Sequence, residues 1–122
     1  MPVFLVRFAL WISFAAAAFL ADVLTKIAPH DVVAHHYART PTLIFVFVGI
    51  LLCALGVTHS RALAIGSGLM FGGLCGNAEE LLLRGYASDW VPIGHWLTNV
   101  ADLCAAFGLL WCVTSYLMVL RR

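Results

Sequence analysis

Charge is what this sequence has least of. Of 122 residues only 7 are Lys or Arg and 6 are Asp or Glu, 11% together, and the formal net charge is +1. A soluble domain carries about 25% charged and roughly 45–50% apolar residues. Here 63% are hydrophobic and the mean hydropathy is +0.99. A chain of this size cannot hide that much apolar surface in its own core, so lipid must solvate much of it. A soluble enzyme and a disordered tail do not fit this composition. With no basic field to gather phosphates, no nucleic-acid partner is expected.

Several catalytic signatures are also missing. No CxxC pair occurs among Cys53, Cys75, Cys104 and Cys112, which excludes a zinc ribbon and a thioredoxin-like redox motif. Set inside apolar runs, the four read as small buried hydrophobes. There is no Gly-x-Ser-x-Gly elbow, no HExxH and no Ser/Lys pairing to argue for another hydrolytic scheme. His30, Asp31, His35 and His36 share one polar segment, but their spacing fits no metal-ligand pattern, and neither metal nor other cofactor is expected. No internal repeat or low-complexity linker divides the chain, which predicts one domain over 1–122.

What is there is a set of long apolar runs, each near the length of about 20 residues that a membrane helix needs. They predict an all-α membrane protein with four transmembrane helices, over roughly 4–24, 42–57, 62–83 and 97–120. The first run follows Arg7 and ends in small residues, as a cleavable signal peptide would. The rest of the chain is equally hydrophobic, so a retained anchor helix is the simpler expectation. Four spans put the N-terminus, Arg7, His59, Arg61, Arg121 and Arg122 on one face, with no acid. Asp22, Asp31, Glu79, Glu80, Asp89 and Asp102 lie on the other, with Lys26, Arg39 and Arg84. The positive-inside rule then makes both termini cytoplasmic and puts every acid at the outer face. In the third run Gly68, Gly72 and Gly76 recur every four residues and let a neighbouring helix come close. A glycine-lined pore would need a polar companion stripe that is missing.

Polar groups at the edge of a span are costly, and a functional site is the default reading of them. Asp22 and Lys26 share a face one turn apart, which an interfacial ion pair would also explain. Glu79 reads as a headgroup-level acid, whereas Glu80 lies three residues from Asn77. Asp102 follows Asn99 by three, and the amides could simply bond between helices. The four-helix arrangement nevertheless brings Asn77, Asp89, Asn99 and Asp102 to one rim, flanked by Trp90 and Trp96 as an aromatic belt. Two carboxylates meeting in a partly desolvated place cannot both ionise comfortably, which leaves one general acid and one general base. Such a pair can activate water and protonate a leaving amine without a covalent intermediate.

In order, these motifs resemble the signal peptidase II family. Asp22-Val-Leu-Thr25-Lys26 is similar to the family's D-x-x-T-K. Gly72-Gly73-Leu-Cys-Gly76-Asn77-Ala-Glu-Glu80, followed by Arg84-Gly85-Tyr86-Ala-Ser-Asp89-Trp90, resembles GGxxGNxxDR…RGxVxDF. Asn99-Val-Ala-Asp102, with Gly108 six residues on, is similar to N-x-A-D-x-x-x-x-x-G. The resemblance implies a membrane aspartic endopeptidase of the bacterial inner membrane. Its substrates would be lipid-modified prolipoproteins, cut before the diacylglyceryl cysteine. Asp89 and Asp102 would be the catalytic pair, with Asn77, Asn99, Glu80, Asp22 and Lys26 in support.

Departures from the pattern are specific. Glu80 stands where the family has Asp and Leu81 where it has Arg, which predicts a longer acid with no partner. Thr98 replaces the usual Phe before Asn99. Tyr37-Ala-Arg39-Thr40-Pro41-Thr42 resembles the family's x-N-x-G-x-A-F segment with Thr40 at the Asn position. The polar stretch from Thr25 to Pro41 is too short for the β-cradle the family places there. A compact peptidase with a short extracytoplasmic loop region is the expectation. The rival is a non-catalytic protein that binds lipid or lipopeptide on the old site.

Overall fold

A computed structural model describes residues 2–28, 30, 33–36, 44, 48–49 and 59–121. The span expected over 42–57, apart from Ile44, Val48 and Gly49, lies outside the described residues. So do Asp31, the segment 37–42, Cys53 and Arg122.

Three helices carry the described fold. Helix α1, Val3–Ile27, is 25 residues long, about 37 Å at 1.5 Å per residue and ample for the hydrocarbon core of a bilayer. It stops at Ala28, which is extended (φ −65°, ψ 145°) because the residue before a proline avoids the helical region. Helix α2, Arg61–Arg84, starts under the Ser60 hydroxyl, which accepts from Leu63 N at 3.1 Å. It ends at Gly85, whose left-handed φ of 82° lets its N–H reach the Leu81 carbonyl. Helix α3, Val100–Leu120, is capped by Asn99, whose side-chain oxygen accepts from Asp102 N at 2.9 Å. Among the described residues, α1 and α3 are long and apolar enough to cross a membrane.

Helix α2 is the centre, with α1 and α3 on two of its faces. Small residues make both contacts. Gly68 and Gly72 face the backbone carbonyls of Trp11 and Ala15, and Gly76 faces the Asp22 carboxylate. On the other side Gly66 meets the Gly108 carbonyl and Gly73 the Ala101 carbonyl. A Cβ at any of these would collide with backbone or the carboxylate, so the close packing depends on glycine. The inside is mostly small or polar: Ala15, Ala18, Ala64, Ser67, Asp22, Asn77, Glu80 and Asn99 are buried, with Met70 and Leu81 the large apolar exceptions. Leu5, Phe8, Leu20, Leu24, Leu110 and Tyr116 point outward. That inversion of a soluble core is what a lipid surround favours.

The expectation of an all-α protein is corrected by two small antiparallel ladders at one end of the bundle. Strand β1, Ala34–His36, pairs with β2, Ala87–Asp89, and β3, Val91–Ile93, pairs with β4, Trp96–Thr98. The stretch after α1 supplies one strand to a partner from the α2–α3 connection. The β3–β4 hairpin closes in two residues. Gly94, with φ 59°, takes the first loop position, which demands a positive φ. The fourth expected span therefore begins as helix at Val100 rather than Leu97, because Trp96–Thr98 belong to β4.

Candidate active site

Residues from five elements meet where the ladders sit on the helices. Asp22 and Lys26 come from α1, Asn77 and Glu80 from α2, Ser88 and Asp89 from β2. Thr98 ends β4, Asn99 caps α3 and Asp102 lies in its first turn. Asp22 and Asn99 are 0% exposed and Asp89 is 8% exposed, whereas Asp102 is half-buried. Asp89, between the third and fourth expected spans, lies on β2 opposite Ala34.

Lys26 organises the α1–α2 side. Its ammonium lies 2.9 Å from Asp22 Oδ2 and 2.8 Å from Glu80 Oε2, and it donates to Asn77 Oδ1 at 3.2 Å. Three donors meet three acceptors, which saturates the group. The remaining Asp22 oxygen accepts from Ala101 N at 2.8 Å, a favourable use of the positive end of α3. Glu80 is not the unpartnered acid that the Leu81 replacement predicts. Its longer arm reaches Lys26 and accepts the Ser88 hydroxyl at 2.5 Å. Arg84 adds a weak contact at 4.0 Å from an exposed guanidinium.

The two amides link the two acids of the rim. Asn99 Nδ2 donates to Asp89 Oδ1 at 2.9 Å, to Asn77 Oδ1 at 2.9 Å and to the Ser88 carbonyl at 3.0 Å. Two hydrogens serve three acceptors, so one is shared. Asn77 Nδ2 in turn donates to Asp102 Oδ1 at 2.6 Å. The other Asp102 oxygen accepts from Thr98 Oγ1 at 2.9 Å. With its oxygen receiving two donors and its nitrogen facing a carboxylate, Asn77 has one sensible amide orientation. Each acid is thus held by one member of a bonded asparagine pair.

Around this centre, His30 Nε2 donates to the Thr25 carbonyl at 2.6 Å, and its ring stacks on Trp90 at 3.7 Å. Trp96 is 79% exposed on the hairpin. All seven site residues singled out from the sequence lie in or against this network. Ser88 and the backbone of Ala101 were not legible in the sequence. Thr98 stood out only as a departure from the family pattern. Among the described residues, no three of His, Cys, Asp and Glu come together in a group that could hold a metal ion.

Fold and site together define a mostly helical membrane-type protein with a buried carboxylate–amide network at one end. The family model for signal peptidase (SPase) II matches residues 34–118. The chain belongs to the signal peptidase II family. It is 35% identical over 51 residues to a lipoprotein signal peptidase of Dehalococcoides mccartyi, a match covering 41% of this chain and 32% of that protein. The match therefore spans about a third of that relative's length. Two solved structures of bacterial membrane enzymes share the fold at TM-scores of 0.65 and 0.68, with 17% and 16% identity. Each covers 88% of this chain, and the matches take in 92% and 87% of theirs.

Proposed function

We propose that this chain is a compact membrane aspartic endopeptidase that removes the signal peptide of lipid-modified prolipoproteins before the diacylglyceryl cysteine. The observation that carries this reading is the Asp89–Asn99–Asn77–Asp102 chain of hydrogen bonds. It holds two carboxylates at one rim of the bundle, where a peptide bond emerging from lipid could meet both. One carboxylate takes a proton from water as the hydroxyl oxygen attacks the scissile carbonyl carbon. The other gives its proton to the leaving amide nitrogen as the C–N bond breaks, and the pair ends with one proton, as it began. Asn77 and Asn99 hold the acids, and the Asp22–Lys26–Glu80 cluster holds the helices that carry them.

On this reading the chain is one domain over 1–122 with four spans, in keeping with its apolar runs. Both termini face the cytoplasm and the acids face outward, in keeping with the acid-free, arginine-bearing opposite face. Incubating a diacylglyceryl prolipoprotein peptide with the purified protein in lipid tests the reading. Cleavage before the lipidated cysteine that disappears with Asp89→Asn is the expected result. Tight lipopeptide binding without cleavage would favour the non-catalytic alternative.

A further inference from the structure

Thr98 bonds to one acid and to the chain neighbour of the other. Its carbonyl accepts from Trp90 N at 2.8 Å, which pins the residue next to Asp89, and its hydroxyl donates to Asp102 Oδ2 at 2.9 Å. A carboxylate held at one oxygen can swing broadly about its last torsion. Asp102 is held at both, by Asn77 from α2 and by Thr98 from β4. An aromatic ring at this position, as in the pattern this segment resembles, could make neither hydroxyl contact nor that clamp. We propose that Thr98 is a positioning residue that fixes the Asp102 carboxylate in its working orientation. The inference rests on the reading of Asp102 as one of the acid–base pair.

The test compares Thr98→Val, which keeps the β-branched shape and drops the hydroxyl, with Thr98→Ser, which keeps the hydroxyl. Cleavage of the lipidated peptide should show kcat reduced about 10- to 100-fold in Thr98→Val with KM little changed, as expected when a reacting group is misplaced by about an ångström. Thr98→Ser should restore most of that kcat. Unchanged kcat in Thr98→Val, a loss confined to KM, or an equal loss in Thr98→Ser would each overturn the proposal. If Thr98→Val does not fold by thermal melting, Thr98→Ala against Thr98→Ser isolates the same oxygen atom. Infrared spectra supply a readout without turnover, the Asp102 carboxylate band being assigned with Asp102→Asn. The band should move in Thr98→Val and stay in place in Thr98→Ser, and a band that moves in neither overturns the proposal. An inactive parent protein whose band still moves would sink the peptidase reading while leaving the Thr98–Asp102 clamp standing.

Discussion

Asp22 of α1 accepts the backbone N–H of Ala101, at the start of α3, at 2.8 Å. This bond crosses the bundle and fixes where the helix carrying Asp102 begins. Asp22 is 0% exposed, and its second oxygen is tied to Lys26. Removing Asp22 leaves Lys26 with Glu80 and Asn77 but strips the buried Ala101 N–H of its acceptor, which costs about 1–3 kcal/mol. Asp22→Ala is therefore expected to lower the melting temperature in detergent sharply. Asp22→Asn, which can still accept from Ala101, should lie between it and the parent. Equal melting temperatures for all three proteins would show that the bond does not hold the bundle.

Glycine positions divide by what surrounds them. Gly72 faces the Ala15 carbonyl, whereas nothing lies within 4 Å of a Cβ built on Gly94. Gly72→Ala should destabilise by at least the 1–3 kcal/mol or so that overpacking costs. Gly94→Ala carries only its left-handed backbone penalty, about 1–2 kcal/mol, and leaves the helices in place. Thermal melting combined with proteolysis of the hairpin separates the two effects. A larger melting loss for Gly94→Ala than for Gly72→Ala contradicts this packing.

The glycine stripe also marks how far the sequence could be read. Spacing by four at Gly68, Gly72 and Gly76 announces one close helix contact, because helical period turns spacing into a face. Gly66 and Gly73 serve a second face toward α3, and their spacing of seven was lost among the other glycines. Asn77, Asp89, Asn99 and Asp102 were legible as a set because polar residues in apolar runs are rare and costly. Three-residue strands carry too little alternation to be seen, so β2 and the burial of Asp89 were not. The Lys26–Glu80 pair joins residues far apart in sequence. No local pattern reports such a pairing.

Glu80 reaches Lys26 on one side and Ser88 on the other. Ser88 is the neighbour of Asp89, and its carbonyl accepts from Asn99. Glu80→Gln keeps the length but gives up the charge facing Lys26, and should lower cleavage several-fold without abolishing it. Glu80→Asp keeps the charge but loses reach, and should be no better. Steady-state kinetics on the lipidated peptide measure both. Complete loss in Glu80→Gln would move Glu80 from support into the reacting pair.

Topology is open to a separate check. If the four proposed spans return the chain to its starting side and the arginine-bearing face is retained there, reporter fusions after Arg122 should indicate a cytoplasmic C-terminus. An extracytoplasmic signal would turn the acids toward the cytosol and remove them from any exported substrate.

The most direct measurement is the turnover of Asp89→Asn, Asp102→Asn and the double variant on one lipidated prolipoprotein peptide. Asparagine keeps size and hydrogen bonding but cannot exchange a proton between acid and base roles. Members of one catalytic unit are non-additive, so each single change should abolish cleavage about as fully as the double change, with the fold intact by melting. A folded Asp102→Asn or Asp89→Asn protein that keeps most of its turnover would contradict the acid–base pair.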